Sequence, residues 1–329
     1  MSSAPSDIDE SLYSRQLYVF GHEAQRKMAG SNVLIVGLNG LGVETAKNVI
    51  LAGVKSVTLH DNTPASWADL SAQFYLDEAD LGKPRAMVSA PKLADLNPYV
   101  TVTCLEGPLN KESLGNYSAV VLIDLPSRAA QLDLADYCHS IGVCVMVADT
   151  HGVYGTIFCD FGEAYICTDT TGELCASSMV SSMVDSGDGK LLVTVDETTP
   201  HGLESGDRVA ISEVTGVGGV NAEFTVKCND RYTFEIPSAG ITGRYEKGGY
   251  VNQIKQPVTL SFETMSKSIL SPGAIVGDAF KLEHAPVLHR AFSALYTFRE
   301  QHGEMPQPGN AQHAASVYQL ARGAGGVDL

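Results

Sequence analysis

Apolar residues follow different rhythms along this chain. From the start to about residue 165, short unbroken apolar runs alternate with stretches where apolar positions recur every three or four residues. "NVLIVG" (32–37), "KSVTLHD" (55–61), "VTVTCLEG" (100–107), "YSAVVLID" (117–124) and "VCVMVADT" (143–150) predict strands. "GVETAKNVILAG" (42–53), "KPRAMVSAPKLADLN" (83–97) and "SRAAQLDLADYCHSIG" (127–142) predict helices. Gly53 is the stop of the first, Pro84 lies in the first turn of the second, and Pro91 is expected to kink it. This alternation predicts an α/β fold, a Rossmann-like, mostly parallel sheet covered on both faces.

Near residue 169 the helical rhythm stops. "KLLVTVD" (190–196), "DRVAISEV" (207–214), "AEFTVKC" (222–228), "RYTFEI" (231–236) and "GYVNQIK" (249–255) read as short strands separated by Gly, Asp and Asn. They predict an inserted small antiparallel β-barrel or sandwich. From Ser261 the pattern is helical again. In "APVLHRAFSALYTFREQHG" (285–303), Val287, Ala291, Ala294, Leu295 and Phe298 fall on one stripe, and "NAQHAASVYQLARGAG" (310–325) gives a second helix. Two helices do not close a bundle, so the chain, ending in "ARGAGGVDL", is expected to stop inside a domain. The boundaries drawn are 1–168, 169–256 and 257–329.

Composition narrows the function. The chain of 329 residues is 44% hydrophobic and 18% charged, in the range of folded soluble proteins. A net charge of −16 argues against a nucleic-acid partner, since phosphates would be repelled. No apolar run reaches the roughly 18 residues of a membrane span, and "MSSAPSDIDE" has no apolar core of a secretory signal. The seven cysteines (Cys104, Cys138, Cys144, Cys159, Cys167, Cys175 and Cys228) show no C-x-x-C spacing, so no metal site is expected. Their odd number and scatter predict reduced thiols in a cytoplasmic and nuclear protein.

The candidate chemistry sits at "NVLIVGLNGLG" (32–42). In the G-x-G-x-x-G fingerprint the first glycine makes the tight turn, the second lets backbone approach phosphate, and the third lets helix pack on strand. Gly37 and Gly42 fill the first and third places. Asn39 stands in the second, and Gly40 is out of register. Asp61 ends the following strand, where a ribose-binding acid belongs. The pattern leaves two readings open: a turn kept for packing, or an NAD or ATP site.

The flanking motifs decide more. "LYSRQLYVFG" (12–21), "GLNGLGVETAKNVILAGVKSVTLHD" (37–61), "WADLSAQFYLDEADLGKPRA" (67–86), "FCDFG" (158–162) and "HGLESGDRVAISEVTG" (201–216), in this order, resemble the N-terminal part of ubiquitin-activating enzymes. The resemblance runs from about Asp9 to about Gln301. It implies a ThiF/MoeB-like adenylation fold in the inactive one of two related adenylation halves. The first catalytic-cysteine half-domain and the start of a four-helix bundle follow. The whole enzyme is implied to adenylate the ubiquitin C-terminus with MgATP and then carry ubiquitin as a thioester. The chain itself is expected to bind no cofactor and to be inactive alone. Implied partners are ubiquitin, the active adenylation half, and ubiquitin-conjugating enzymes through domains not present here.

Departures from the active half agree with this assignment. A phosphate-binding arginine is replaced in Ser71-Ala72-Gln73-Phe74 by Ala72, and the metal-binding aspartate motif is reduced to Asp124 in "LIDLPSR". Lys83 aligns with a nucleotide-contacting lysine of active halves, but with the other losses it reads as a surface lysine. By itself Arg15 reads as a residue of a terminal helix; the Tyr-Ser-Arg-Gln-Leu motif implies that it reaches the ATP phosphates held by the active half. The thioester cysteine is implied to lie beyond Leu329. Cys175 and Cys228 have no His or Arg arrangement that would activate them, with Arg231 near Cys228 a weak exception, and His284, His289 and His302 show no metal spacing. Glu197, Glu204, Asp207 and Glu213 are compatible with the basic rim of ubiquitin or with a solvated face. Alternatives are an activating enzyme for another ubiquitin-like modifier, which the insertion at 169–256 disfavours, and an NAD-dependent oxidoreductase, which Asn39 disfavours. A pure interaction module is the third.

Overall fold

A computed structural model describes residues 8–272 and 284–323. Expectations for residues 1–7, 273–283 and 324–329 lie outside the described residues. The chain divides into two units, Met1–Ala164 with Ser261–Leu329, and Tyr165–Leu260.

The first unit runs α1 (Glu10–Ala29), β1 (Asn32–Val36), α2 (Gly40–Leu51), β2 (Ser56–His60), α3 (Arg85–Ala94), β3 (Thr101–Cys104), β4 (Ala119–Ile123), α4 (Arg128–Ser140), β5 (Cys144–His151) and β6 (Tyr154–Asp160). The sheet order is β3-β2-β1-β4-β5-β6, with β6 alone antiparallel. Along β1, Val33 and Ile35 enter a core with Val43, Ala46 and Ile50 of α2. Leu34 and Val36 enter another with Ala135 and Cys138 of α4. A strand covered on both faces is apolar at every position, which is why "NVLIV" and "AVVLI" show no alternation. The order reverses between β1 and β4, and the ends of these strands form the crevice where doubly wound sheets take ligands.

One local expectation needs correction: Pro84 precedes the helix at its N-cap position instead of lying in the first turn. Pro91 lies inside α3, which continues to Ala94. The terminal helices α5 (Met265–Leu270), α6 (His284–His302) and α7 (Ala311–Gly323) fall in the same unit as the parallel sheet. In α6 the expected stripe holds at Ala294 and Phe298, which are buried, but Val287 is exposed. Tyr296 is buried instead, because its hydroxyl donates to the Asp149 carboxylate at 2.5 Å and its ring lies under the Arg128 guanidinium.

The second unit holds β7 (Tyr165–Cys167), β8 (Ser177–Gly187), β9 (Lys190–Val195), β10 (Arg208–Ser212), β11 (Thr215–Gly218), β12 (Glu223–Thr225), β13 (Lys227–Cys228), β14 (Thr233–Pro237), β15 (Thr242–Lys247), β16 (Tyr250–Ile254) and β17 (Val258–Leu260). Seven of them form one sheet in the order β12-β10-β16-β8-β9-β14-β13. Its two edge strands, β12 and β13, are separated in sequence by Val226 alone, so the sheet curls back on itself as a barrel. Thus "AEFTVKC" is two strands, not one. Val226 is buried in a valine-rich core between them. β11 with β15, and β7 with β17, make two further antiparallel pairs.

Candidate functional site

The loop from β1 into α2 is shaped by backbone contacts. Gly37 has φ +96, and a Cβ there would lie 2.3 Å from the Ile123 carbonyl oxygen at the end of β4. A Cβ on Gly42 would lie 1.9 Å from the Gly37 carbonyl oxygen. Both glycines are therefore required by the fold of the turn itself, whatever it binds.

Asn39 caps α2. Its Oδ1 accepts from the Gly42 N–H at 3.0 Å and its Nδ2 donates to Asp124 Oδ2. Asp124 sits in the left-handed region at φ +44, and its carboxylate also accepts from the Thr150 N–H and hydroxyl, each at 2.7 Å. The second place of the fingerprint is thus filled by an amide that ties β1, β4 and β5 together across the crevice. Gly40 faces Ala72: a Cβ on Gly40 would meet the Ala72 Cβ at 2.9 Å. The segment that would carry a phosphate-binding arginine instead lies against the first turn of α2.

Asp61 is buried and fully engaged. It accepts from the Leu38 N–H at 2.6 Å, the Thr63 N–H at 2.9 Å, and Arg85 through Nε at 2.9 Å and NH2 at 2.8 Å. Arg85 also donates to Asp69 at 2.7 Å, so one guanidinium bridges two carboxylates. Burial alone would raise the Asp69 pKa, but hydrogen bonds from Ser66 and Arg85 and the Arg85 charge outweigh it and hold it below the usual carboxylate range. Gln73 is fully buried beneath this pair, donating to Ser89 Oγ at 2.8 Å and to the Leu38 carbonyl at 3.3 Å. The sequence reading gave no role to Arg85 or Gln73. Both lie inside stretches read only as motif or helix, and no spacing marks a guanidinium that returns to the preceding strand end.

The structure therefore brings Gly37, Asn39, Gly40, Gly42, Asp61, Ala72 and Asp124 to one crevice. Among the described residues, both acids brought there, Asp61 and Asp124, are already hydrogen-bonded, and position 72 carries alanine. The side chains present do not fit MgATP in this turn. Among the described residues no group of three or more His, Cys, Asp or Glu side chains converges as a metal site. Lys83 is half exposed and pairs with Asp80 at 3.1 Å.

Arg15 lies elsewhere. It is exposed on α1 and makes no ion pair among the described residues. Its neighbour Gln16 donates to the Leu51 carbonyl at 3.3 Å, at the C-terminal end of α2. The glycine turn is at the other end of that helix, about 18 Å away at 1.5 Å per residue. Gln16, beside Arg15, is thus anchored at the end of α2 opposite the glycine turn.

Burial, followed by the Asp207 charge, pushes the Cys228 thiol up. Cys175 is exposed. His289 contacts the Ile269 carbonyl at 3.1 Å, and His302 stacks on Phe298 with ring centroids 4.0 Å apart. The His284 side chain lies outside the described residues. In the β unit, Asp207 is spent on the Glu204 N–H and the Gln253 amide, while Glu197, Glu204 and Glu213 face solvent.

A doubly wound sheet with a glycine turn at its reversal point defines the Rossmann-like α/β class. Family comparison is narrower. Residues 13–220 match the ThiF family, 188–255 the FCCH domain of ubiquitin-activating enzyme E1, and 256–324 the E1 four-helix bundle. The chain belongs to the ThiF family. It is 47% identical over 323 residues to ubiquitin-like modifier-activating enzyme 1 of Oryctolagus cuniculus, covering 98% of this chain and 30% of that protein. It is 44% identical over 318 residues to ubiquitin-activating enzyme E1 1 of Schizosaccharomyces pombe, covering 96% of this chain and 31% of the relative. The chain thus spans about a third of the length of these relatives and is homologous to their N-terminal region. Among solved structures, it is similar to the tRNA N6-threonylcarbamoyladenosine dehydratase TcdA of E. coli, at 20% identity and a TM-score of 0.39, over 44% of this chain and 62% of that one.

Proposed function

We propose that this chain is the N-terminal part of a ubiquitin-activating enzyme and supplies its nucleotide-free adenylation half. The observation that carries this reading is the state of the crevice. Arg85 takes up Asp61, Ala72 covers Gly40, and Asn39 is bound to Asp124. Each of these contacts uses a group or a space that a nucleotide would need. In this reading the whole enzyme adenylates the ubiquitin C-terminus with MgATP on its other half, then forms a thioester on a cysteine outside this chain. Arg15, exposed and without an ion pair among the described residues, reaches the triphosphate on that other half. There a planar guanidinium stabilises the charge that develops as pyrophosphate leaves.

The sheet supplies a surface for such a partner. Helices α2 and α3 cover β1 to β3 on one face, but over β5 and β6 the same face is only partly covered, and Ile157 is 78% exposed. The acidic β unit contributes to holding ubiquitin, conjugating enzymes dock on other parts of the enzyme, and the protein works in cytoplasm and nucleus. The isolated chain, assayed for ubiquitin-dependent ATP–pyrophosphate exchange, is expected to give no signal above a buffer control. Ubiquitin-dependent exchange by the chain alone would refute the reading.

A further inference from the structure

The geometry points to Tyr13, held by Asn97 and Gly53, as the positioning residue that aims Arg15; this rests on the reading of Arg15 given above. Helix α1 is broken at Gly21, which has φ +76 and ψ 171, so its second half cannot fix the direction of its first. In the first half, Tyr13 is the only buried residue. Its ring lies against Gly53, where a Cβ would fall 2.6 Å from the ring. Gly53 also has φ +80, so glycine is doubly suited there.

The Tyr13 hydroxyl accepts from Asn97 Nδ2 at 2.9 Å. The same amide donates to the Ile50 carbonyl at 3.0 Å, and its Oδ1 accepts from the Tyr99 N–H at 3.1 Å. Asn97 is itself buried, so these bonds are shielded from water. Tyr99 then donates from its hydroxyl to Asp9, the N-cap of α1, at 3.0 Å. The first turns of α1 are thus pinned to the C-terminal end of α2 and to the segment between α3 and β3. Two residues along an α-helix turn the side-chain direction by about 200°. With Tyr13 pinned inward, Arg15 must point outward, away from its own sheet. Gln16 also anchors this half, through its longer bond to the Leu51 carbonyl at 3.3 Å, so a loosened Tyr13 lets the half-helix turn about that point and swings the guanidinium off line.

The test is a double-mutant cycle in the full-length activating enzyme that carries this chain, read as ubiquitin-dependent ATP–pyrophosphate exchange. Arg15→Ala is expected to lower kcat about 100-fold, as for the loss of one charge-stabilising donor. Tyr13→Phe keeps the ring and loses only the bond to Asn97; it is expected to lower kcat about fivefold with the KM for ubiquitin unchanged. In the Arg15→Ala background Tyr13→Phe should change nothing further. Gly53→Ala, which drives a methyl into the Tyr13 ring, should show the same dependence on Arg15 with a larger effect. If Tyr13→Phe leaves kcat unchanged, or lowers it equally in both backgrounds, the positioning role is wrong while the reading of Arg15 stands. If Arg15→Ala itself leaves kcat intact, the reading of Arg15 fails and the positioning role with it.

Discussion

Replacing Arg85 with alanine should destabilise the first unit by about 3–5 kcal/mol, the cost of leaving a buried charge without its partner. Arg85 is 16% exposed, and its partners Asp61 and Asp69 are 4% and 13% exposed at their side chains. After the substitution Asp61 keeps its two backbone donors, Leu38 and Thr63, but no cation. Arg85→Lys should recover little, because one ammonium does not reproduce a fork that serves two carboxylates at once. By contrast, breaking the half-exposed pair of Lys83 and Asp80 through Lys83→Ala should cost less than about 1 kcal/mol. Urea unfolding of the three variants checks this order. A loss below about 1 kcal/mol for Arg85→Ala would mean that the bridge contributes little. The pH dependence has a defined sign. The Asp69 pKa is lowered in the fold from 3.8, so its contribution is present above that value and is lost as pH falls through the folded pKa. Arg85→Ala should flatten that acid limb.

Gly37→Ala should cost about 4 kcal/mol, from two separate sources. A side chain at φ +96 is strained, and the new Cβ would sit 2.3 Å from a backbone oxygen of Ile123. That oxygen belongs to a buried central strand, so it cannot move aside as a surface side chain can. Gly82→Ala provides the control. It has φ +82 but nothing within 4 Å of the added Cβ, so only the strain of about 1–2 kcal/mol applies. Equal losses for the two variants, by urea unfolding, would show that the close approach to β4 does not matter. The comparison bears on function: a glycine demanded this strongly by packing says nothing about whether the turn holds a nucleotide.

This explains what the sequence could and could not convey. Fully buried strands such as "NVLIV" announce themselves, because both faces require apolar residues. The glycine turn is legible for the same reason, as its spacing is imposed by local backbone contacts. β8 is not legible. In "SSMVSSMVDSG" the buried residues include Val180 and Met183, three apart, because a bulge between Val180 and Ser182 breaks the two-residue period. The split of "AEFTVKC" at Val226 is hidden too, since both strands are apolar-alternating and only the closure of the barrel separates them. At the crevice, the residues that are absent could be read from motif departures at Asn39 and Ala72. The residue that fills the space, Arg85, could not. Its role depends on the packing of α3 against the end of β2, which brings it back 24 positions along the chain to Asp61.

Calorimetric titration of the chain with MgATP, with Asn39→Gly alongside, tests most directly the proposal that this half holds no nucleotide. Neither protein is expected to show saturable heat. The glycine substitution frees one corner of the crevice but leaves Asp61 bound to Arg85 and Gly40 covered by Ala72. Saturable binding of MgATP by the unmodified chain would contradict the account and show that the glycine turn still takes a nucleotide.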